Sequence, residues 1–236
     1  GAGADLTQRA RAALEESQVI AGYTTYVDLV RDAFPAKELL ISGMRGEVQR
    51  CRAALERAAS GATVALVCSG DPGVYGMAGL VLELAQDMGL IDAVDVEVIA
   101  GVTAATGGAA LLGAPLMHDF CLVSLSDLLT PWDAIEARLR AAAHAGFVIC
   151  LYNPCSHGRP DHLAHAAQIL LEELPPTCVC GIAHNVGRPG EGARVLTLGE
   201  LADAPADMTS VVYVGNATTR EIAGRMVTPR GYQVRS

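Results

Sequence analysis

One junction constrains this chain more than any other. The apolar run Val64-Ala65-Leu66-Val67-Cys68 leads into Ser69-Gly70-Asp71-Pro72-Gly73-Val74-Tyr75-Gly76, and that loop leads into an apolar stretch from Met77 to Met88. A short apolar run bounded by turn residues reads as a buried strand, and the longer run after it as a helix. Three glycines and a proline between them let main-chain amides and carbonyls come close to a ligand. The loop carries one carboxylate, Asp71, and no lysine. A phosphate cradle needs amides, a lysine or a helix N-terminus free of negative charge, so this loop suits a polar, cationic or hydroxyl-bearing ligand better than a nucleotide phosphate.

The same alternation of strand, punctuated loop and helix runs through the chain. Leu6 to Ser17 reads as a helix, Val19 to Tyr23 as a short strand, and Arg45 to Ala59 as a helix with Val48, Cys51, Leu55 and Ala58 on one face and arginines on the other. Val94 to Ala100 is expected to be a strand, and Thr103 to Leu112 a small-residue helix. Beyond Gly113-Ala114-Pro115, the runs Cys121 to Leu125, Phe147 to Tyr152, Val179 to Ala183 and Ser210 to Val214 read as strands, with helices from Trp132 to Ala145 and Leu163 to Glu173. The pattern predicts an α/β protein with largely parallel sheet. Two α/β domains are expected, residues 1–114 and 115–236, each lending loops to a cleft between them.

Composition narrows the function. Hydrophobic residues make up 51% of 236, enough for a substantial core. A net charge of −9 argues against a nucleic-acid partner, which requires a basic face. No apolar run approaches the ~18 to 20 residues of a membrane span and no basic, apolar leader precedes Leu6, so no membrane association is expected. The seven cysteines are odd in number and lack a paired framework, which implies a reducing, cytoplasmic setting. Cys155, His157, His162 and His165 are the one group with metal-ligand chemistry. His162 and His165 share a helical face, but nothing completes a tetrahedral set, so a solvated helix face is expected and no metal. Lys37 is the only lysine. Arginine forks suit carboxylates, although a coding bias produces the same excess.

Read with Gly101-Val102-Thr103-Ala104-Ala105-Thr106, the loop at 69–76 resembles the S-adenosylmethionine-binding loops of the tetrapyrrole methylase family. Met117-His118-Asp119-Phe120, Ser124 to Trp132, Tyr152-Asn153-Pro154 and Met226 to Tyr232 are similar to the branch that methylates carbon 17 of precorrin-3B or its cobalt-loaded equivalent in cobalamin biosynthesis. The resemblance runs from about Leu6 to Tyr232. Relatives open with a hydrophobic strand and a Gly-x-Gly-Pro-Gly turn, where this chain begins Gly1-Ala2-Gly3-Ala4-Asp5. That strand would be central to the first sheet.

The resemblance implies two α/β domains of the tetrapyrrole methylase type with the active cleft between them, a homodimer, and a methyltransferase using S-adenosylmethionine and releasing S-adenosylhomocysteine. Gly70, Asp71 and Val74 would hold the methionine and ribose portions, with Thr103 and Ala104 completing that side. Asn153, Ala183, Val186, Thr209 and Ser210 would approach the adenine. Arg45, Arg159 and Arg188 would meet the carboxylates of the tetrapyrrole, with Cys155 standing where relatives often place an arginine after Asn-Pro. Methyl transfer from a sulfonium needs alignment more than a nucleophilic side chain. The accompanying ring contraction calls for a proton-transfer group, for which Asp127, Ser126 and His118 are the candidates. Same-fold alternatives are a uroporphyrinogen-III methyltransferase or a diphthine synthase. A non-catalytic tetrapyrrole carrier is the alternative of a different class.

Overall fold

The computed structural model describes residues 3–156 and 158–233, and the chain divides into two compact units, Gly1–Thr103 and Ala104–Ser236. His157, one of the candidate metal ligands, lies outside the described residues.

In the first unit, Thr7 caps helix α1 (Gln8–Glu16) by accepting the Ala10 amide at 3.2 Å. Strand β1 (Val19–Tyr23), the single turn α2 (Thr24–Val27), strand β2 (Glu38–Ser42), helix α3 (Glu47–Ala59), strand β3 (Val64–Val67) and helix α4 (Ala78–Asp87) follow. The sheet order is β2-β1-β3, all parallel, with Ile20 opposite Leu39 on one side and Ala65 on the other. Central β1 buries Val19, Ile20 and Ala21 completely. Alternate residues of β3 serve opposite faces. Ala65 and Val67 pack with Leu14, Ile20, Val27 and Phe34, while Leu66 joins Cys51, Leu55, Leu84 and Ala85. Helices therefore cover both faces, as a parallel sheet requires.

Two expectations fail here. Residues 94–100 join no ladder: Val94 and Val96 pack against the α3–α4 side as unpaired chain. A strand exists only by pairing, and apolar content alone does not supply a neighbour. The arginines of α3 are also not confined to an outer face, because Arg50 is 3% exposed while Val48 is 45% exposed. The helix is rotated so that Arg50, Cys51, Ala54 and Leu55 point inward.

The second unit comprises α5 (Ala104–Leu112), β4 (Gly113–Ala114), β5 (Phe120–Ser124), α6 (Trp132–His144), β6 (Val148–Tyr152), α7 (His162–Leu171), β7 (Val179–His184), β8 (Gly192–Thr197), the turn α8 (Leu198–Leu201), β9 (Ser210–Val214), β10 (Arg220–Ile222) and β11 (Arg225–Val227). The main sheet runs β5-β6-β9-β7-β8, and β10-β11-β4 form a smaller one. Only β5 and β6 pair in parallel within the main sheet, and the other three pairings are antiparallel. The largely parallel expectation holds for the first unit and not for this one, since β8 and β9 return directly beside β7. Val212 and Val214 face α6 and α7, whereas Val211 and Tyr213 face α5. Gly108 permits that second contact: a Cβ there would meet the Tyr213 hydroxyl at 2.5 Å and Val211 Cγ1 at 2.8 Å. Because α5 packs on β7, β8 and β9, it groups with the second unit. The division thus falls between Thr103 and Ala104, ahead of the sequence-based joint at 114/115.

Among the described residues no helix is long and apolar enough to cross a membrane.

Candidate functional site

The glycine loop is held by its own carboxylate. Asp71 Oδ1 accepts the Gly73 amide at 2.8 Å and Oδ2 accepts the Gly101 amide at 2.9 Å, which joins residues 69–76 to the segment before Thr103. The loop backbone is tight enough to require glycine. A Cβ on Gly101 would lie 2.1 Å from the Gly70 carbonyl oxygen, and one on Gly76 would lie 2.4 Å from that of Pro72. Gly70 adopts φ +79°, open to glycine at no steric cost. The Pro72 carbonyl accepts the Ala78 amide at 3.0 Å, so the loop folds back over the start of α4. Val74 is half-buried and its amide donates to the Asp71 carbonyl at 3.2 Å. The side chain of Asp71 makes no ion pair among the described residues, so the loop keeps a net negative charge. Arg45 is exposed on the β2–α3 connection, where it adopts φ +63°.

In the second unit the first turn of α5 is gripped by two phenols. Tyr152 Oη accepts the Ala105 amide at 2.8 Å, and Tyr213 Oη donates to the carbonyls of Ala104 and Ala105, at 2.9 and 2.8 Å. Burial pushes the Tyr213 phenol well above its ordinary range, so it stays a donor.

At the C-terminal ends of β5 and β6 five side chains meet. Arg159 Nη1 donates to Ser126 Oγ at 2.6 Å and stands 3.6 Å from Asp127 Oδ1, while its Nε donates to Ser156 Oγ at 3.2 Å. His162 Nε2 lies 3.2 Å from Asp127 Oδ2. Partial burial would raise the Asp127 carboxyl, but the contact and charge of His162, a backbone amide and the Arg159 charge together hold it below its ordinary value. Trp132 covers the cluster, its ring centroid 4.9 Å from that of His162. Beside it, Asn153 at φ +53° donates through Nδ2 to Ser124 Oγ at 2.9 Å.

Three sequence candidates, Ser126, Asp127 and Arg159, are thus brought together. His162 is a member that the sequence reading missed. Its side chain is 15% exposed, so it is not part of a solvated helix face; His165, one turn on, is exposed. The available signal was Trp132, an aromatic five residues after Asp127 that needs a partner surface. Among the described residues no three His, Cys, Asp or Glu side chains lie close enough to hold an ion.

His118 does not join this cluster. It precedes β5, whereas Ser126 follows it, and the five residues of that strand separate them by roughly 16 Å at ~3.3 Å per residue. His118 Nδ1 accepts the Asp119 amide at 2.8 Å, and the ring lines a hollow of about 310 Å³ with Asn216 and Arg230.

The remaining candidates gather where β7 ends and β9 begins. Asp207 Oδ1 accepts the Thr209 amide and hydroxyl at 2.8 and 2.7 Å and the Ser210 hydroxyl at 3.0 Å. Ala183 is fully buried against α5, so it offers a ligand only its backbone, and Val186 packs partly on the same core. The Arg188 amide closes a turn on the Asn185 carbonyl at 2.8 Å.

Residues 1–202 match the family model for Tetrapyrrole (Corrin/Porphyrin) Methylases. The chain is similar to the probable cobalt-factor III C(17)-methyltransferase of Salmonella typhimurium, with 49% identity over 98% of this chain and 95% of that protein. It is 44% identical to the cobalt-factor III methyltransferase of Priestia megaterium over 97% of this chain, but spans only 43% of that longer protein. Among solved structures, the crystal structure of the methyltransferase CobJ superposes with a TM-score of 0.90 at 38% identity, covering 97% of this chain and 95% of that one.

Proposed function

Because this chain belongs to the tetrapyrrole methylase family, we propose that it transfers a methyl group from S-adenosylmethionine to carbon 17 of precorrin-3B or its cobalt-loaded equivalent, with ring contraction, in cobalamin biosynthesis. The observation that carries this reading is the identity of 49% across nearly the full length of both chains, together with a glycine loop whose only charge is negative.

The loop chemistry fits the donor. An ionised Asp71 held by two amides, with no basic partner among the described residues, suits a sulfonium and ammonium ligand and repels a phosphate. Bound there, S-adenosylmethionine supplies an activated methyl group. In the first unit, the main chain of Gly70 and Val74 and the free lone pairs of Asp71 hold the methionine and ribose portions, with Thr103 closing the segment. In the second unit, Asn153 serves the adenine together with Val186 and Thr209, which stand on two segments joined where the Asn185 amide donates to the Thr209 carbonyl at 3.2 Å. No side-chain nucleophile is needed, because the reacting carbon, the methyl and the sulfur must lie nearly in line and positioning lowers the barrier.

For the macrocycle, Arg159 offers a guanidinium braced by Ser126, Ser156 and Asp127, and a braced fork loses less freedom when it meets a carboxylate. In this reading Asp127, held ionised beside His162, accepts a proton during contraction. Calorimetric titration with S-adenosylhomocysteine tests the enzyme reading against a tetrapyrrole carrier. Saturable one-site binding is expected, and an absence of binding heat at millimolar ligand would overturn it.

A further inference from the structure

Arg50 is the only charged side chain among the described residues that is buried, at 3% exposure, and every group it touches is neutral. Its Nε donates to Ser42 Oγ at 2.7 Å, Nη2 to the Gly43 carbonyl at 2.8 Å and Nη1 to Met77 Sδ at 3.4 Å. Its guanidinium carbon lies 5.7 Å from the ring centroid of Tyr23. No carboxylate among the described residues pairs with it. Removing a guanidinium from water is costly, and neutral acceptors return less of that cost than a counter-ion does. A guanidinium carries five N–H groups, and the three contacts above leave two to give.

Its position is that of a ligand contact. Tyr23 ends β1 and Ser42 ends β2, and ligands of parallel α/β sheets sit beyond the carboxyl ends of the strands. Met77 directly follows the glycine loop. Of the three acceptors the thioether is the weakest, and it sits on a flexible side chain. An incoming carboxylate displaces it at the least cost. The covering segment, Gly43 to Gly46, is bounded by glycines, and Met44 within it is 57% exposed.

We propose that Arg50 determines specificity by taking one ligand carboxylate on Nη1 and Nη2 as the Met77 sulfur moves aside. The inference rests on the methyltransferase reading above. That carboxylate has two sources, the amino-acid end of S-adenosylmethionine or an acid side chain of the macrocycle, and one experiment separates them. Wild type, Arg50→Met and Arg50→Lys are titrated with S-adenosylhomocysteine and with 5′-methylthioadenosine, which lacks the amino-acid end. The KM for the cobalt-loaded precursor is measured in parallel. If the donor supplies the carboxylate, Arg50→Met weakens S-adenosylhomocysteine roughly ten- to hundred-fold and leaves methylthioadenosine unchanged. If the macrocycle supplies it, the KM rises by a similar factor while S-adenosylhomocysteine binds normally. Arg50→Lys keeps the charge without the fork and recovers part of either loss.

The proposal is overturned if folded Arg50→Met matches wild type in both assays, or if it weakens the two nucleosides equally, which marks a purely structural clamp. Should neither variant fold, a crystal structure of the wild-type protein with both ligands decides, since a carboxylate oxygen must then lie within hydrogen-bond distance of Arg50. Failure of the underlying reading looks different, because the wild-type protein itself would then transfer no methyl.

Discussion

Asp71 accepts the main-chain amide of Gly101 at 2.9 Å across thirty residues of sequence, and its other oxygen accepts Gly73 at 2.8 Å. The carboxylate therefore shapes the loop that it charges, and the ligand role proposed for it is tied to that structural one.

Asp71→Ala is accordingly expected to reduce stability and cofactor affinity together. Loss of two amide contacts costs about 1 to 3 kcal/mol, and S-adenosylhomocysteine affinity falls with it by roughly tenfold. Asp71→Asn keeps one acceptor and recovers part of both. Thermal denaturation alongside calorimetry checks this, and full affinity in Asp71→Ala would show that the Gly101 segment needs no such tether.

Gly108→Ala sets a helix gain against a clash. Replacing glycine inside α5 adds about 1 kcal/mol of helix stability. The new Cβ would lie 2.5 Å from Tyr213 Oη, which holds the first turn of the helix, and overpacking of this kind costs roughly 1 to 3 kcal/mol. Both neighbours are fully buried or nearly so, leaving little room to relax. A lower Tm is expected, and a higher one would mean that α5 shifts freely on the sheet.

The Asp127 carboxyl sits below its ordinary value of 3.8, so ionised Asp127 favours the folded state. The sign follows from linkage: this contribution is fully present above about pH 5 and fades as pH falls through the lowered folded value. The Tm difference between wild type and Asp127→Asn is expected to be constant from neutral pH down to about 5 and to shrink below about 4. His162→Gln removes the principal lowering contact, and the Asp127 titration followed by carboxyl carbon resonances moves upward. An unchanged titration would place His162 outside the cluster's electrostatics.

Burial pushes the Cys51 thiol up to about 11 and the Cys150 thiol up to about 12, and both side chains are fully buried. Neither is expected to react with iodoacetamide at neutral pH in the folded protein, whereas half-exposed Cys155 reacts early and all seven react after denaturation. Labelling followed by peptide mass measurement reads each site. Early modification of Cys150 would contradict the packing of β6.

The elements that could be read from sequence were those whose boundaries are local. Val19 to Tyr23 forms a strand over the expected span because small and apolar residues stand between a helix end and a polar turn. The edge strand Gly192–Thr197 escapes notice because an edge needs no continuous apolar run and Arg194 sits within it, while Glu38–Ser42 has only three apolar residues between polar ends, too short a run to mark a strand. Strand direction in the second sheet is decided by which segments return beside β7, a tertiary matter invisible to periodicity. Burial of Arg50 depends on Ser42, Gly43 and Met77, scattered along the chain. Ser126, Asp127 and Arg159 emerged as candidates from motif resemblance, but their company with His162 required the register of β5 on β6.

Incubation of the purified protein with S-adenosylmethionine and the cobalt-loaded or metal-free precursor, with products resolved by mass and carbon NMR, tests the central claim most directly. The expected result is one added methyl on carbon 17 of a ring-contracted macrocycle, with stoichiometric S-adenosylhomocysteine. Methylation at another carbon, or tight macrocycle binding with no methyl transferred, would contradict it.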